Sequence, residues 1–473
     1  LLNVLVLYSP LTVGGVVLLL TEFPQLNALL GAGPLAFTSW PFYLDALVAS
    51  SVLLFGFVLV GLLFQVTVPR VLNLAIKPDK VYRLYGFHYW IHRLIARMTN
   101  IKFFTYLFGD SSYIVHYLRC LGYDLSNVEQ TGSNFGTEVK HETPFLCSVG
   151  SGTMVADGLS IVNADFSSTS FRVSRASIGP HNFLGNYVTY HSQGKTGDNC
   201  LLATKVMVPL DGEVREGVGL LGSPSFAIPR SVERDSRFDH LKSEDGLRCG
   251  LAAKNKHNAV TMGLYLLVRW IYLFGATLLA MGAVDLYHSF GASVIVLANV
   301  LILLFGVVYF VLIERAVTRF QALKPLFCSI YDLRFWRIER LWKVPAVAYL
   351  QVFNGTPFKN VIWRLLGVRL GRRVFDDGCY MSERTMVAIG DDCMLNAETR
   401  IQPHSQEDGA FKSDRITIGA GCTVGIGALV HYGVTMGDGA MLAPGSFLMK
   451  GEEIPQRARW GGNPAREIQV SGK

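Results

Sequence analysis

The chain has 473 residues, half of them hydrophobic and 17% charged, with a mean hydropathy of +0.33 and a net charge of +7. So apolar a composition excludes an ordinary cytosolic protein and points to membrane spans. Lys and Arg cluster beside the apolar runs, which assigns the positive charge to a membrane surface and not to nucleic acid. The eight cysteines form no CxxC pair and no even spacing, so the expectation is idle thiols in a reducing compartment, without zinc or disulfides.

The chain starts at Leu1, without Met and inside an apolar run, which suggests a fragment or a processed chain. Residues 1–70 read as a first transmembrane hairpin, with spans at Leu1–Leu20 and Leu44–Val68. The loop between them has no Lys or Arg, whereas Arg70, Lys77, Lys80, Arg83, Arg93, Arg97 and Lys102 follow the second span. The positive-inside rule therefore puts everything after Arg70 on the cytosolic side. Residues 71–109 mix aromatics with bases at helical spacing, as in amphipathic helices lying on a bilayer. A β domain is expected over 110–232, a polar linker over 233–260 and a second hairpin over 261–314. Its spans are Thr261–Val284 and Gly291–Ile313, with an outer turn near Asp285–Ser289. Basic amphipathic helices (315–366) and a second β domain (367–473) complete the chain. The second half echoes the first: Lys77-Pro78 matches Lys324-Pro325, Tyr85–Trp90 matches Tyr331–Trp336, and LRCLG at 118 matches WRLLG at 363.

The β domains are read from a period of six. Ile418, Val424, Val430, Met436, Leu442 and Leu448 recur every sixth residue, each followed mostly by a small one (Gly419, Gly425, Gly437, Ala443). Neither helix nor ordinary strand has that period; a parallel β-helix does, with the aliphatic residue inward and the small one at the corner. Val368, Val374 and Tyr380 extend the frame backwards and, after a phase shift, so do Ile389, Leu395 and Ile401. In the earlier domain Val149, Val155 and Ile161, then Ile178, Leu184 and Tyr190, then Leu202, Val208, Val214 and Leu220 keep the same spacing. The expected fold is an α + β membrane protein, two transmembrane hairpins alternating with two left-handed parallel β-helix domains.

Both frames are interrupted by the same tripeptide, His191-Ser192-Gln193 and His404-Ser405-Gln406. An imidazole exposed at such a bulge can deprotonate a hydroxyl or amine for attack on an acyl carbon, which makes His191 and His404 the candidate catalytic residues. Asn186 and Asn396 precede them and are candidates for substrate binding, as are Lys195, suited to a phosphate or carboxylate, and Glu407, which with Asp408 could also orient His404. The duplication would equally copy a structural histidine. His431 reads as a coil-face residue, and three or four convergent metal ligands are not in evidence.

The closing run MKGEEIPQRARWGGNPAREI resembles the end of hexapeptide-repeat acyltransferases. The stretch VPLDGEVREGVGLLGSPSFAIPRSVERD (208–235), with the order of hairpins and coils, resembles the terminal region of non-ribosomal peptide synthetases of the poly-lysine-synthetase type. That resemblance implies membrane-anchored, acyltransferase-like domains joining amino acids received from a carrier thioester. A phosphopantetheine thioester, on a carrier protein or coenzyme A, would be the acyl donor, with no tightly bound cofactor. The base would fall on His191 and His404. Poly-lysine members have three hairpin-plus-domain units where this chain has two, and no adenylation or carrier domain is read here. Membrane lipids are the other expected partner, with a homo-oligomer or a larger membrane complex open and no nucleic acid. The rival reading is a non-catalytic assembly subunit whose degenerate coils serve as docking surfaces.

Overall fold

The computed structural model describes residue 13 and residues 39–125, 135–228, 238, 244–407 and 409–468. The chain divides into two compact units, each discontinuous in sequence. One comprises Leu1–Gly61, Gly263–Phe320 and Val344–Asn354, the other Leu62–Met262, Gln321–Lys343 and Gly355–Lys473.

The first unit is helical where described. Three helices of the chain are long and apolar enough to cross a membrane: Trp40–Asn73, Arg248–Tyr287 within the longer helix Glu244–Phe290, and Ala292–Val317. The spans expected at 44–68, 261–284 and 291–313 fall on them, while that at 1–20 lies outside the described residues. Tyr272 stacks on Phe305 at 5.8 Å, and the Tyr309 hydroxyl donates to the Val268 carbonyl at 2.9 Å, so the last two helices are joined by rings and a hydrogen bond. Two expectations shift here. The chain does not turn at Asp285–Ser289: the helix continues through Phe290 and reverses at Gly291, whose φ of +61° a glycine adopts without strain. The linker expected over 233–260 is helical from Glu244 on, part of the same rod.

In the second unit, short strands follow one another around three faces. Val387–Ile389, Met394–Leu395 and Arg400–Gln402 make one turn; Ile416–Ile418, Thr423–Val424 and Leu429–His431 make the next. Pairing between turns is parallel, with Ile389 beside Ile418, Leu395 beside Val424 and Ile401 beside Val430. Earlier in the chain Val149 lies beside Ile178, Val155 beside Leu184 and Ile161 beside Tyr190. Residues read as inward are inward: Ile418, Val424, Val430, Met436, Leu442 and Leu448 are each at most 1% exposed. Full burial of each stabilises the column by about 2 kcal/mol. The small residue beside them is a steric requirement. A Cβ on Gly425 would lie 2.5 Å from the Pro444 nitrogen of the next turn.

Not every assignment holds. Val214 is 51% exposed, outside the earlier column. Tyr380 is not inward either; Met381 takes that place beside Ile401. The open end of the later coil is closed by helix Pro357–Leu366, where buried Asp376 accepts from Lys359 Nζ at 2.9 Å and Trp363 Nε1 at 2.6 Å. The amphipathic segments turn their apolar faces to the coils. Ile91 and Ile95 of helix Phe87–Thr99 pack with Phe171 and Val173, and Phe335 and Trp336 of helix Leu333–Lys343 with Phe411.

Each coil is interrupted by a hairpin, Ala164–Phe166 with Ser170–Val173 and His404–Glu407 with Ala410–Ser413. A strand from the preceding segment, Val81–Arg83 or Leu326–Ser329, completes each antiparallel sheet. From Lys140 and Tyr380 onward the coils match strand for strand at 240 residues, as Val155 is from Leu395 and Leu202 from Leu442, while the first strands, Asp124–Leu125 and Arg369–Leu370, are 245 apart. This register corrects the tripeptide match: His404 corresponds to Ala164, and His191 to His431.

Candidate active site

His404 opens the interrupting hairpin of the later coil, which lifts its imidazole out of the stacked column. Its Nδ1 lies 2.8 Å from Oε1 and 2.9 Å from Oε2 of Glu383, a carboxylate with no exposed surface. Trp342 Nε1 and Ser382 Oγ also donate to Glu383, each at 2.6 Å, and the Trp342 ring stacks on the imidazole with centroids 4.3 Å apart. Burial opposes ionisation of Glu383, yet the electrostatic attraction of His404 and the hydrogen bonds from His404, Ser382 and Trp342 outweigh it, holding the carboxyl below its ordinary value. A carboxylate at Nδ1 fixes the tautomer, with the proton on Nδ1 and the lone pair on Nε2. Nε2 meets the Gln402 side-chain amide at 3.2 Å.

His404 borders a cavity of about 380 Å³, within the range of small-molecule sites. Both coils line it: Tyr380, Arg400 and Gln402 come from the later one, and Asp157, Asn186 and Tyr187 from the earlier. Arg400 joins the two halves. Its Nη2 donates to Glu138 at 2.7 Å, and the guanidinium lies 4.5 Å from the Tyr187 ring centre and 5.5 Å from that of Tyr380. Lys205 of the earlier coil donates to the Gly427 and Gly445 carbonyls of the later one, at 2.6 and 3.0 Å.

Of the residues singled out from sequence, His404 and Asn186 reach this cavity, the latter accepting from the Asp157 backbone N–H at 3.3 Å. His191 does not line it. Its nitrogens face backbone carbonyls, Nδ1 that of Ser192 at 2.6 Å and Nε2 that of Pro209 at 3.0 Å. Lys195 is exposed on a strand away from the cavity, and Asn396 donates to the Val424 carbonyl at 2.8 Å, tying one turn to the next. The side chain of Glu407 and the whole of Asp408 lie outside the described residues. His431, read as a coil-face residue, is buried in the cavity wall. Glu383, Trp342, Arg400 and Asp157 were not anticipated. Among the described residues no group of three His, Cys, Asp or Glu could hold a metal ion.

Fold and site together define a hexapeptide-repeat protein with a carboxylate-backed imidazole on a cavity shared by its two coils. No protein-family model matches the chain. Its sequence is similar to Delta-poly-L-ornithine synthetase of Acinetobacter baumannii (strain AB307-0294), 23% identical over 399 residues, which cover 81% of this chain. The match covers 29% of that relative's length. The expected resemblance to poly-amino-acid synthetases is thus supported. Similar solved structures include a hexapeptide-repeat acetyltransferase of Vibrio cholerae O1 biovar eltor with acetyl coenzyme A, at TM-score 0.23 and 18% identity over 27% of this chain and 85% of that one. Another is the polysialic-acid-specific acetyltransferase NeuO, at TM-score 0.20 and 9% identity over 73% of this chain and 85% of that one.

Proposed function

We propose that this chain is the membrane-embedded acyl or aminoacyl transferase region of a non-ribosomal peptide synthetase-like protein, with His404 as general base. In this reading two transmembrane hairpins alternate with two left-handed β-helices, and the basic residues that follow the spans keep both coils on the cytosolic face. The observation that carries it is the His404–Glu383 pair, opening on a cavity that both coils line. A pantetheine thioester is the donor, and the relative named for poly-L-ornithine synthesis favours an amine as acceptor.

The amine nitrogen attacks the thioester carbon while His404 Nε2 takes an N–H proton. The imidazolium so formed is held by Glu383. Collapse of the tetrahedral intermediate breaks the C–S bond, and the departing sulfur takes the proton from Nε2, giving amide and thiol. Activity is tested on the full chain in detergent, with an aminoacyl-pantetheine thioester or acetyl coenzyme A and an alkyl amine, by following amide product in a mass spectrometer. His404→Ala should lose at least a hundredfold with unchanged thermal unfolding. Full activity in that variant would favour the assembly-subunit reading, in which the coils act only by docking.

A further inference from the structure

The earlier coil lacks the pair that equips the later one. Ala164 stands where His404 does, and Thr143 where Glu383 does. Yet it gives the cavity a carboxylate, Asp157, held in one orientation. Oδ1 accepts the backbone N–H groups of Thr137 and Glu138, both at 2.9 Å. A Cβ on Gly136 would lie 2.2 Å from that oxygen. Among the described residues Oδ2 has no hydrogen-bond donor, while the residue borders the same cavity as His404.

The chemistry asks for such a group. An alkyl amine arrives as an ammonium, and its nitrogen is no nucleophile until one proton has gone. A second proton leaves during attack. One imidazole passes its proton to the sulfur and cannot also absorb the first. We propose that Asp157 is a second acid–base residue of this cavity, taking the proton of the acceptor ammonium before His404 takes the proton released on attack. The proposal rests on the amine-transfer reading above. The balance is ammonium plus carboxylate to amine plus carboxylic acid; after transfer the carboxylic acid returns its proton to water. Overall, ammonium and thioester give amide, thiol and one proton.

The surroundings suit the task. Burial, then the charges of Glu138 and Asp110, push the Asp157 carboxyl up to about 7, against the pull of Arg400 and the Thr137 N–H. The hydroxyls of Tyr106, Tyr187 and Tyr380 also feel its charge, and His404, His431, Lys412 and Lys450 line the same cavity.

Hydroxylamine separates the two protons, because it is neutral at pH 7.5 and needs only the second removed. With putrescine as acceptor, Asp157→Asn should lose about a hundredfold in kcat/KM, and with hydroxylamine at least tenfold less than that. Asn keeps an oxygen for the Thr137 and Glu138 N–H groups, and Asp157→Glu should restore part of the putrescine activity. The wild-type kcat/KM profile for putrescine should show a limb near pH 7 that Asp157→Asn removes. Equal loss with both acceptors, or loss with neither, overturns the role of Asp157 while leaving amine transfer standing. Absence of transfer by the wild-type chain with either acceptor overturns both.

Discussion

The imidazole of His404 sits over both oxygens of Glu383, 2.8 and 2.9 Å from Nδ1, with the carboxylate wholly buried and the histidine side chain 12% exposed. The pair is asymmetric by construction: one partner is fixed in the protein, and the other meets the cavity. Glu383 touches no substrate in this arrangement and acts as a positioning residue. Glu383→Gln keeps the size and one acceptor oxygen for Trp342 and Ser382 but can present its amide to Nδ1, favouring the wrong tautomer. We expect kcat to fall about a hundredfold or more with KM nearly unchanged. Parallel rises in KM would assign Glu383 to substrate binding.

His191 should behave differently. It lies outside the cavity, between the carbonyls of Ser192 and Pro209. His191→Gln should keep transfer within about threefold of wild type, whereas loss comparable to that of a His404 variant would restore it as a base.

These two histidines show where the sequence was legible. The column from Ile418 to Leu448 could be read directly, because a stacked interior forces one apolar side chain into every sixth place and leaves no room beside it. The shared His-Ser-Gln was misleading for a related reason. His404-Ser405-Gln406 lies in an interrupting hairpin, outside the stacked frame, whereas His191-Ser192-Gln193 follows the coil strand Thr189–Tyr190 at an ordinary corner, so their likeness did not report register. Glu383 lies 21 residues before His404, and only the closing of the coil brings them together. One trace of it was visible, the phase shift between Tyr380 and Ile389. The structure accounts for that shift by a single 3₁₀ turn, Arg384–Met386, directly after Glu383. Asp157 and Arg400 left no trace, since a contact between two coils has no periodicity in either.

Arg400 tests whether the coils work as one body. A lysine could keep the charge and a single donor toward Glu138 but not the flat guanidinium against the Tyr187 and Tyr380 rings. Arg400→Lys should lower stability by about 2 kcal/mol, read as a lower urea midpoint of the full chain in detergent. An unchanged midpoint would mean that the coils are held together elsewhere, by contacts such as those of Lys205.

His141 gives the earlier coil a pH dependence whose sign can be worked out. Its Nδ1 meets the Tyr123 hydroxyl at 3.0 Å and its Nε2 that of Thr99 at 2.9 Å. Burial pushes its pKa down from 6.5 to about 3, only weakly opposed by Glu142. Between those values the unfolded chain binds a proton that the folded chain refuses. Acidification through this window therefore favours unfolding, and stability rises again with pH until about 6.5. His141→Gln removes the titration while keeping polar atoms for Tyr123 and Thr99. It should be less stable than wild type at pH 7.5 yet flatten the decline between pH 6.5 and 4. Urea midpoints of the two proteins across that range decide the matter: parallel curves would mean that other groups carry the acid sensitivity and that His141 titrates folded and unfolded alike.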